Sequence, residues 1–327
     1  MMDWTDRHCR YFLRQLSSTA WLYTEMITTG ALIHGDVKRH LEFSAEEHPL
    51  ALQLGGSEPD ELARCARLAE SYGYDEVNLN IGCPSERVQK GAFGACLMAE
   101  PALVADCVKA IRDTVGMPVT VKHRTGVDSI EDYEFLAGFV ATVSKAGCRT
   151  FIVHARNAML KGLSPKENRE VPPLKYEYVY RLKQDFPDLE VIINGGIASR
   201  QTIQAHWEHV DGVMLGRAAY HDPWVLADPG KTRAGAVRSM HEYAVREVDK
   251  GTSLRGIARH MLGLYHGCPR ARLWRQRLSD ARLLKQNDPG LLLHALDEVE
   301  EYHGDENRRT ECLPSSSQSN PPLSATA

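Results

Sequence analysis

The chain predicts an α/β fold of the parallel kind, a TIM (β/α)8 barrel with its first strand missing, followed by an all-helical domain. Three observations carry this expectation. Short apolar β-type runs alternate with amphipathic helical segments from about residue 20 to residue 225. Two glycine-bearing turns, Asn194-Gly195-Gly196-Ile197 and Leu215-Gly216-Arg217, follow consecutive strand-like runs, where phosphate-binding barrels carry the loops after their last two strands. Beyond about Asp228 the β-type runs stop and only helical periodicity continues.

The predicted strands are Trp21–Met26, Leu50–Leu54, Glu76–Ile81, Pro118–His123, Thr150–His154, Glu190–Asn194 and Gly212–Leu215. Between them, Glu58–Tyr72, Pro101–Val115, Ile130–Lys145 and Ser199–Trp207 carry apolar residues at three- and four-residue spacing, with Ser57 and Ser199 where N-caps belong. If the two glycine turns follow strands seven and eight, the absent strand is the first. The expectation is then that the native protein begins upstream, that Met1 or Met2 is an internal methionine, and that the second and eighth strands keep unpaired edges. The helical region reads Ala236–Lys250, Ser253–Tyr265, Arg270–Lys285 and Pro289–Tyr302. From about Gly304 onward the tail, with its Ser- and Pro-rich stretch, lacks the apolar residues to fold. The predicted domains are residues 1–228 (barrel), 229–303 (helical) and 304–327 (disordered tail).

Composition narrows the function classes. With 327 residues, 43% of them hydrophobic and 25% charged, the chain can bury a full core. No stretch approaches the roughly 18–20 apolar residues of a membrane span, and the polar start Asp3-Trp4-Thr5-Asp6-Arg7 is not a signal peptide, so the default location is cytoplasmic. Eight cysteines without a C-x-x-C pair argue for free thiols rather than a zinc site or a disulfide framework. A net charge of −4 does not announce a nucleic-acid binder, so any such role rests on a local patch; nothing points to a stable protein partner.

In a barrel the active site lies at the carboxyl ends of the strands. Those positions here hold Gln53, Asn78, Asn80, Cys83, Lys122, Arg124, His154, Arg156 and Asn194, and charged groups inside parallel strands are costly unless they serve a site. Gly195-Gly196 and Gly216-Arg217 offer backbone N–H groups and a guanidinium to a phosphate. Alternation with Val119 and Val121 turns Lys122 to the barrel interior, where it pairs with a carboxylate, forms a Schiff base or holds an anionic ring; His154, one strand later, favours the last. Cys83 is either a small buried hydrophobe or a reactive group held over a pocket, whereas Cys96 reads as a packed small residue. Gly91-Ala92-Phe93-Gly94-Ala95 predicts a long mobile loop able to grip substrate. Arg255, Arg259, Arg270, Arg272, Arg275, Arg277, Arg282 and Lys285 accumulate with almost no acidic residue among them, either as a solvated face or as a phosphate-binding surface.

Together, Asn80-Ile81-Gly82-Cys83-Pro84, Val121-Lys122-x-Arg124, Val153-His154-Ala155-Arg156, Asn194-Gly195-Gly196-Ile197 and Leu215-Gly216-Arg217 resemble the tRNA-dihydrouridine synthases, flavoenzymes that reduce uridine in tRNA. The segments Tyr23–Met26, His48–Gly56 and Lys161–Arg169 resemble the A subfamily, which acts on D-loop uridines 20 and 20a. The resemblance implies FMN held by Gln53, Lys122, His154, Asn194, Gly195, Gly196, Gly216 and Arg217, with Met1 and Met2 as remnants of a contact along the ring. It implies that NADPH reduces the flavin, that hydride passes from flavin N5 to C6 of the uracil, and that Cys83 protonates C5 from the other side, for which a thiol protonated at neutral pH is suited. It adds Asn80, Lys166 and Arg169 as tRNA contacts and makes Arg272 and Arg275 the best choices in the helical domain. Two departures stand out. The strand and Ala-Pro that usually precede Met-x-Asp-Trp-Thr-Asp are gone, and Asn157 and Met159 occupy positions where lysine and tryptophan are common, so part of the RNA grip is expected to be altered. Rival readings are an FMN barrel reducing a small pyrimidine-like molecule, a Schiff-base lyase on Lys122, and an RNA-binding protein without activity; the basic helical region weighs against the first.

Overall fold

Polar and apolar residues alternate along Glu76–Ile81, and that alternation gives the central strand two faces of opposite chemistry. Around it the structure, a computed structural model describing residues 1–306 (side chains to 300), builds a parallel sheet. Its strands are β1 (Leu22–Tyr23), β2 (Ile27–Thr28), β3 (Leu50–Gly55), β4 (Glu76–Ile81), β5 (Val119–Arg124), β6 (Thr150–His154), β7 (Glu190–Asn194) and β8 (Gly212–Met214). They lie in the order β1-β3-β4-β5-β6-β7-β8, with β2 also on β3. Both β1 and β2 run parallel to β3, so the predicted strand Trp21–Met26 is split, and its second half lies further along the chain. The Thr24 hydroxyl makes the break possible: it accepts from the Gln53 amide at 3.0 Å, where a regular strand would offer a carbonyl. Among the described residues β8 pairs only with β7, and β1 and β2 only with β3, which leaves the two open edges that the sequence predicts.

The apolar face of β4 and β5, with Val77, Leu79, Ile81 and Val121 fully buried, is covered by helices Pro59–Tyr72, Pro101–Arg112 and Tyr133–Lys145. The first starts one residue later than expected. Glu58 rather than Ser57 is its N-cap, because Pro59 has its φ preset for the first helical position and holds the residue before it out of the helix. Ser199 does cap Arg200–Trp207, in a box closed by Thr202. Helix Tyr176–Asp185 and the short helices Thr29–His34 and Val37–Leu41 add to those that the sequence predicts.

Residues 3–20 and 217–306 form a second compact unit, and Met1 and Met2 group with residues 21–216 in the first, which puts the boundary between the described units at Gly216/Arg217. The physical reason is helix Arg7–Leu16, whose Cys9, Phe12 and Leu16 are at most 1% exposed. Its N-cap Asp6 also binds Arg259 at 2.6 Å and His260 at 3.0 Å. Helix Arg233–Asp249 follows, and then the predicted helix Ser253–Tyr265 is reduced to Leu254–Ala258 and a 3-10 turn. The predicted Arg270–Lys285 breaks into Ala271–Ser279 and Ala281–Lys285, because the Asp280 carboxylate caps the second piece. The last helix, Leu291–Glu306, runs past the predicted tail start at Gly304, and the rest of that tail lies outside the described residues. No described helix is long and apolar enough to cross a membrane.

His123 shows how strictly the apolar face is kept. It is fully buried between Phe139 and Phe151, with Nδ1 2.7 Å from the Arg124 carbonyl. Burial pushes its pKa down to about 4. Between that value and the ordinary 6.5 the unfolded chain binds a proton that the native state refuses, so the stability present above pH 6.5 drains away as pH falls toward 4. Urea midpoints of wild type should therefore drop over this window relative to His123→Leu, by on the order of 3 kcal/mol when fully developed. Parallel pH profiles for the two proteins would mean that His123 is not held neutral.

Candidate active site

Inward-facing residues near the carboxyl ends of β3 to β7 form one polar row. The pairing sets Gln53 beside Asn78, Asn80 beside Lys122, Arg124 beside His154, and His154 beside Asn194. Lys122 Nζ donates to Asn194 Oδ1 at 3.3 Å, and Asn194 Nδ2 donates to the Met214 carbonyl at 2.8 Å. Lys122 makes no ion pair among the described residues, so the sequence option of a lysine neutralised by a carboxylate falls away. Burial pushes its ammonium down to about 8, helped by the charge of Arg124 and opposed by Cys83. His154 is held well below the usual imidazole range by burial, then by the charges of Arg124, Lys122, Arg156 and Arg169. The row is thus rich in donors and positive charge, which suits an anionic or electron-rich planar ligand.

Glycine is required at the end of β7. Gly195 and Gly196 have φ of +117° and +70°, and a Cβ on Gly195 would stand 2.7 Å from His154 Cδ2. Gly216 is open on its free side apart from Met1 Sδ, which would lie 3.9 Å from such a Cβ; Met1 and Met2 themselves are exposed. Arg217 opens the helix Arg217–His221 and is the first residue of the second unit after that boundary.

Cys83 sits half-buried just past β4. Its amide, with that of Gly82, donates to Asn80 Oδ1 (3.0 and 3.2 Å), a side-chain turn that fixes the backbone at the strand end. Its thiol lies 3.6 Å from the Ser85 hydroxyl. Arg124 clamps the same turn from the next strand: Nε donates to the Gly82 carbonyl at 3.1 Å, and Nη1 to the carbonyls of Asn157 (3.1 Å) and Asn168 (2.7 Å). Sequence reading placed Arg124 at a strand end but missed the clamp; an arginine on an inward strand position was the signal. Asn168 was missed as well. Fully buried, it closes the loop on itself through Met159, Leu163 and Ser164, leaving Lys166 and Arg169 exposed on the outside.

Three expectations change. The segment after Cys83 is not an irregular loop: it folds as helix Glu86–Lys90 and 3-10 turn Gly94–Ala99, because Phe93, Leu97 and Met98 are buried and the Ala95 amide bonds the Cys83 carbonyl at 2.9 Å. Asn157 is buried with Nδ2 on the Asp128 carbonyl at 2.6 Å, so it braces the loop from inside rather than facing a ligand. Part of the basic run in the helical unit has acidic partners: Asp6 holds Arg259 and Glu298 holds Arg277 from elsewhere in the chain, and Asp280, inside the run, holds Arg282. Arg272 and Arg275 remain exposed and, among the described residues, without an ion pair, on a helix whose Trp274 and Leu278 are buried. The described cysteines are all free thiols, and Cys96 is half-buried against the Phe93 carbonyl.

Comparison with known proteins bears on this arrangement directly. The model of the dihydrouridine synthase (Dus) family matches residues 1–300. The tRNA-dihydrouridine(20/20a) synthase of Escherichia coli (strain K12) is 57% identical over 307 residues, covering 90% of this chain and 89% of that protein. The protein of the same name from Pseudomonas putida is 58% identical over 289 residues, covering 85% of this chain and 86% of its own, and that of Salmonella typhi is 56% identical over 307 residues, covering 90% and 92%. With a strand-end cysteine, an inward lysine and a glycine-lined turn in the places described, and a family match that takes in both units, the chain belongs to the dihydrouridine synthase family.

Proposed function

We propose that this chain reduces uridine to 5,6-dihydrouridine in the D-loop of tRNA, at positions 20 and 20a as its relatives' names state, with FMN as cofactor and NADPH as reductant, in the cytoplasm. The observation that supports this best is the half-buried Cys83, on a turn fixed by Asn80 and Arg124 next to a donor-rich row whose Lys122 makes no ion pair among the described residues. Enzymes of this family are flavin-dependent in general, and a bound flavin supplies the hydride. The residues present fit such a group: Lys122 and His154 offer positive charge and a donor to an electron-rich ring, and Gln53 and Asn194 offer amides. Gly195 and Gly196, in the left-handed turn that only glycine takes up easily, and the open Gly216 offer backbone N–H groups to a phosphate, and Arg217 follows next in sequence. Met1 and Met2 supply apolar surface along the ring.

The chain's own part in the chemistry is to hold the base and deliver a proton. Cys83 donates it to C5, and its thiol is kept in place by the turn on Asn80. Asn80 and the exposed Lys166 and Arg169 grip the tRNA near the reacting base, which is easier to unstack in a loop than in a duplex. Arg272 and Arg275 bind phosphates further along the RNA. A small-molecule reductase has no use for these exposed cations, which favours the RNA substrate over that rival.

Three measurements test the assignment. Cys83→Ala should leave reduction of the bound flavin by NADPH intact while slowing uridine reduction by roughly 10²- to 10³-fold in single-turnover assays; equal losses in both half-reactions would remove Cys83 from the proton step. FMN affinity should fall as pH rises through about 8, where Lys122 gives up its charge, and Lys122→Met should bind weakly at every pH without that fall. A pH dependence retained in the variant would assign it to another group. Arg272→Ala combined with Arg275→Ala should weaken tRNA binding and flatten its logarithmic salt dependence by about 1 to 2, with FMN affinity unchanged. An unaltered slope would put the phosphate contacts on other residues.

A further inference from the structure

A continuous run of side-chain hydrogen bonds crosses the inner face of β3, β4 and β5, and its polarity is fixed at one end by the backbone. The amides of Gly82 and Cys83 both donate to Asn80 Oδ1. A backbone N–H cannot turn round, so Asn80 must present its NH2 to the next member, Gln53 Oε1, at 2.9 Å. That turns Gln53 Nε2 toward Asn78 Oδ1 at 2.8 Å, and Asn78 Nδ2 toward Thr120 Oγ1 at 2.8 Å. Thr120, accepting there, gives its one hydroxyl proton to Glu76 Oε1 at 2.6 Å. Every link passes a donor in the same direction, and the run ends where an oxygen without a proton is needed. Glu76 supplies that oxygen.

We propose that Glu76 and Thr120 are positioning residues for the reaction: they fix which edge of the Gln53 and Asn80 amides is turned to the site, and through Asn80 they hold the turn that carries Cys83. The inference rests on the reading above, in which Gln53 meets the cofactor, and Asn80 and Cys83 meet the base. Three features carry it. The inner members are shut off from water, with Asn78 at 0%, Thr120 at 2% and Glu76 at 6% exposure, so a reversed amide there would leave a buried donor facing a donor with no solvent to satisfy either. Glu76 and Asn78 project from alternate positions of the same strand, and Thr120 pairs with Asn78 across the ladder, so their contact follows from the sheet register and not from a flexible loop. The groups around the Glu76 carboxyl also suit an anchor. Burial pushes it up to about 7; the bonds from Thr120 and from the Tyr23 hydroxyl favour its ionised form, while Glu190 and Asp75 disfavour it. Glu190 is itself engaged by the Thr150 hydroxyl at 2.6 Å.

The test uses the full chain and two matched pairs of variants. Thr120→Val keeps the shape of the side chain but removes the hydroxyl, and Thr120→Ser restores it. Glu76→Leu removes the acceptor, and Glu76→Gln keeps an acceptor oxygen. In flavin-free protein, hydrogen–deuterium exchange resolved by mass spectrometry should show the Gly82 and Cys83 amides exchanging several-fold faster in Thr120→Val and Glu76→Leu. They should exchange at the wild-type rate in Thr120→Ser and Glu76→Gln, with peptides from β7 unchanged throughout. Titration with FMN should give about tenfold weaker binding and an altered visible absorption band in the first member of each pair, recovered in the second. Unchanged exchange at Gly82 and Cys83, or a serine variant no better than the valine one, overturns the proposal even if the proteins melt at lower temperature. Wild-type protein that fails to bind FMN overturns the cofactor reading separately, because the exchange result does not depend on flavin. Should Thr120→Val fail to fold, Thr120→Ala, which also lacks the hydroxyl, gives the same readout.

Discussion

A polar side chain on the inner face of a parallel sheet must find its partner on a neighbouring strand, because the backbone groups around it are already committed to the ladder and water is excluded. Glu76, Asn78 and Asn80 impose that condition at three successive inward positions of β4, and β3 and β5 meet it with Gln53 and Thr120. A slip of one residue would turn Val77 and Leu79 inward and push Asn78 under the helices that cover the apolar face. Each buried group left unpaired that way costs about 1–3 kcal/mol, so the same bonds that arrange the site also specify the register. Fold and function are written into one set of contacts here.

Charge at the site follows a similar logic one strand further on. Lys122 and Arg124 gather beside His154 and, among the described residues, make no ion pair with a carboxylate, and the chain accepts the cost of holding Lys122 below its ordinary pKa. Arg124 limits that cost by spending its donors on three carbonyls, Gly82, Asn157 and Asn168. Those carbonyls belong to the turn before Cys83 and to the loop that presents Lys166 and Arg169. One planar guanidinium therefore ties the turn that carries Cys83 to a surface loop.

Much of this was legible in the sequence, and the reasons differ by element. The strands from β3 onward declared themselves as short apolar runs between helical segments, and the site row through polar residues that break those runs. What stayed hidden depended on partners remote in the chain. Helix Arg7–Leu16 carries Cys9, Phe12, Leu13 and Leu16 at helical spacing after the cap Asp6, which is a readable pattern. Its assignment to the helical unit, however, rests on contacts such as Asp6 with Arg259 and Arg7 with Glu247, each more than two hundred residues apart in sequence. The break at Asp280 reflects competition: the side chain caps a new helix more favourably than it continues the old one. The split between β1 and β2 turns on a single Thr24 hydroxyl standing in for a carbonyl, which no period reveals.

The basic run of the helical unit makes the same point from the opposite direction. Read along the chain it looks like one long cationic surface, yet three of its eight cations, Arg259, Arg277 and Arg282, are paired with carboxylates. Glu298 is delivered by the last helix to Arg277, Asp6 by the first helix to Arg259, and Asp280 is held by the adjacent Arg282. Arg272 and Arg275 escape because they stand three residues apart on the exposed side of a helix whose other side is pinned by Trp274, itself fully buried with its indole N–H on the Met261 carbonyl at 2.8 Å. In a chain of net charge −4, folding thus pairs off cations that have acidic neighbours, while Arg272 and Arg275 stay exposed and, among the described residues, without an ion pair.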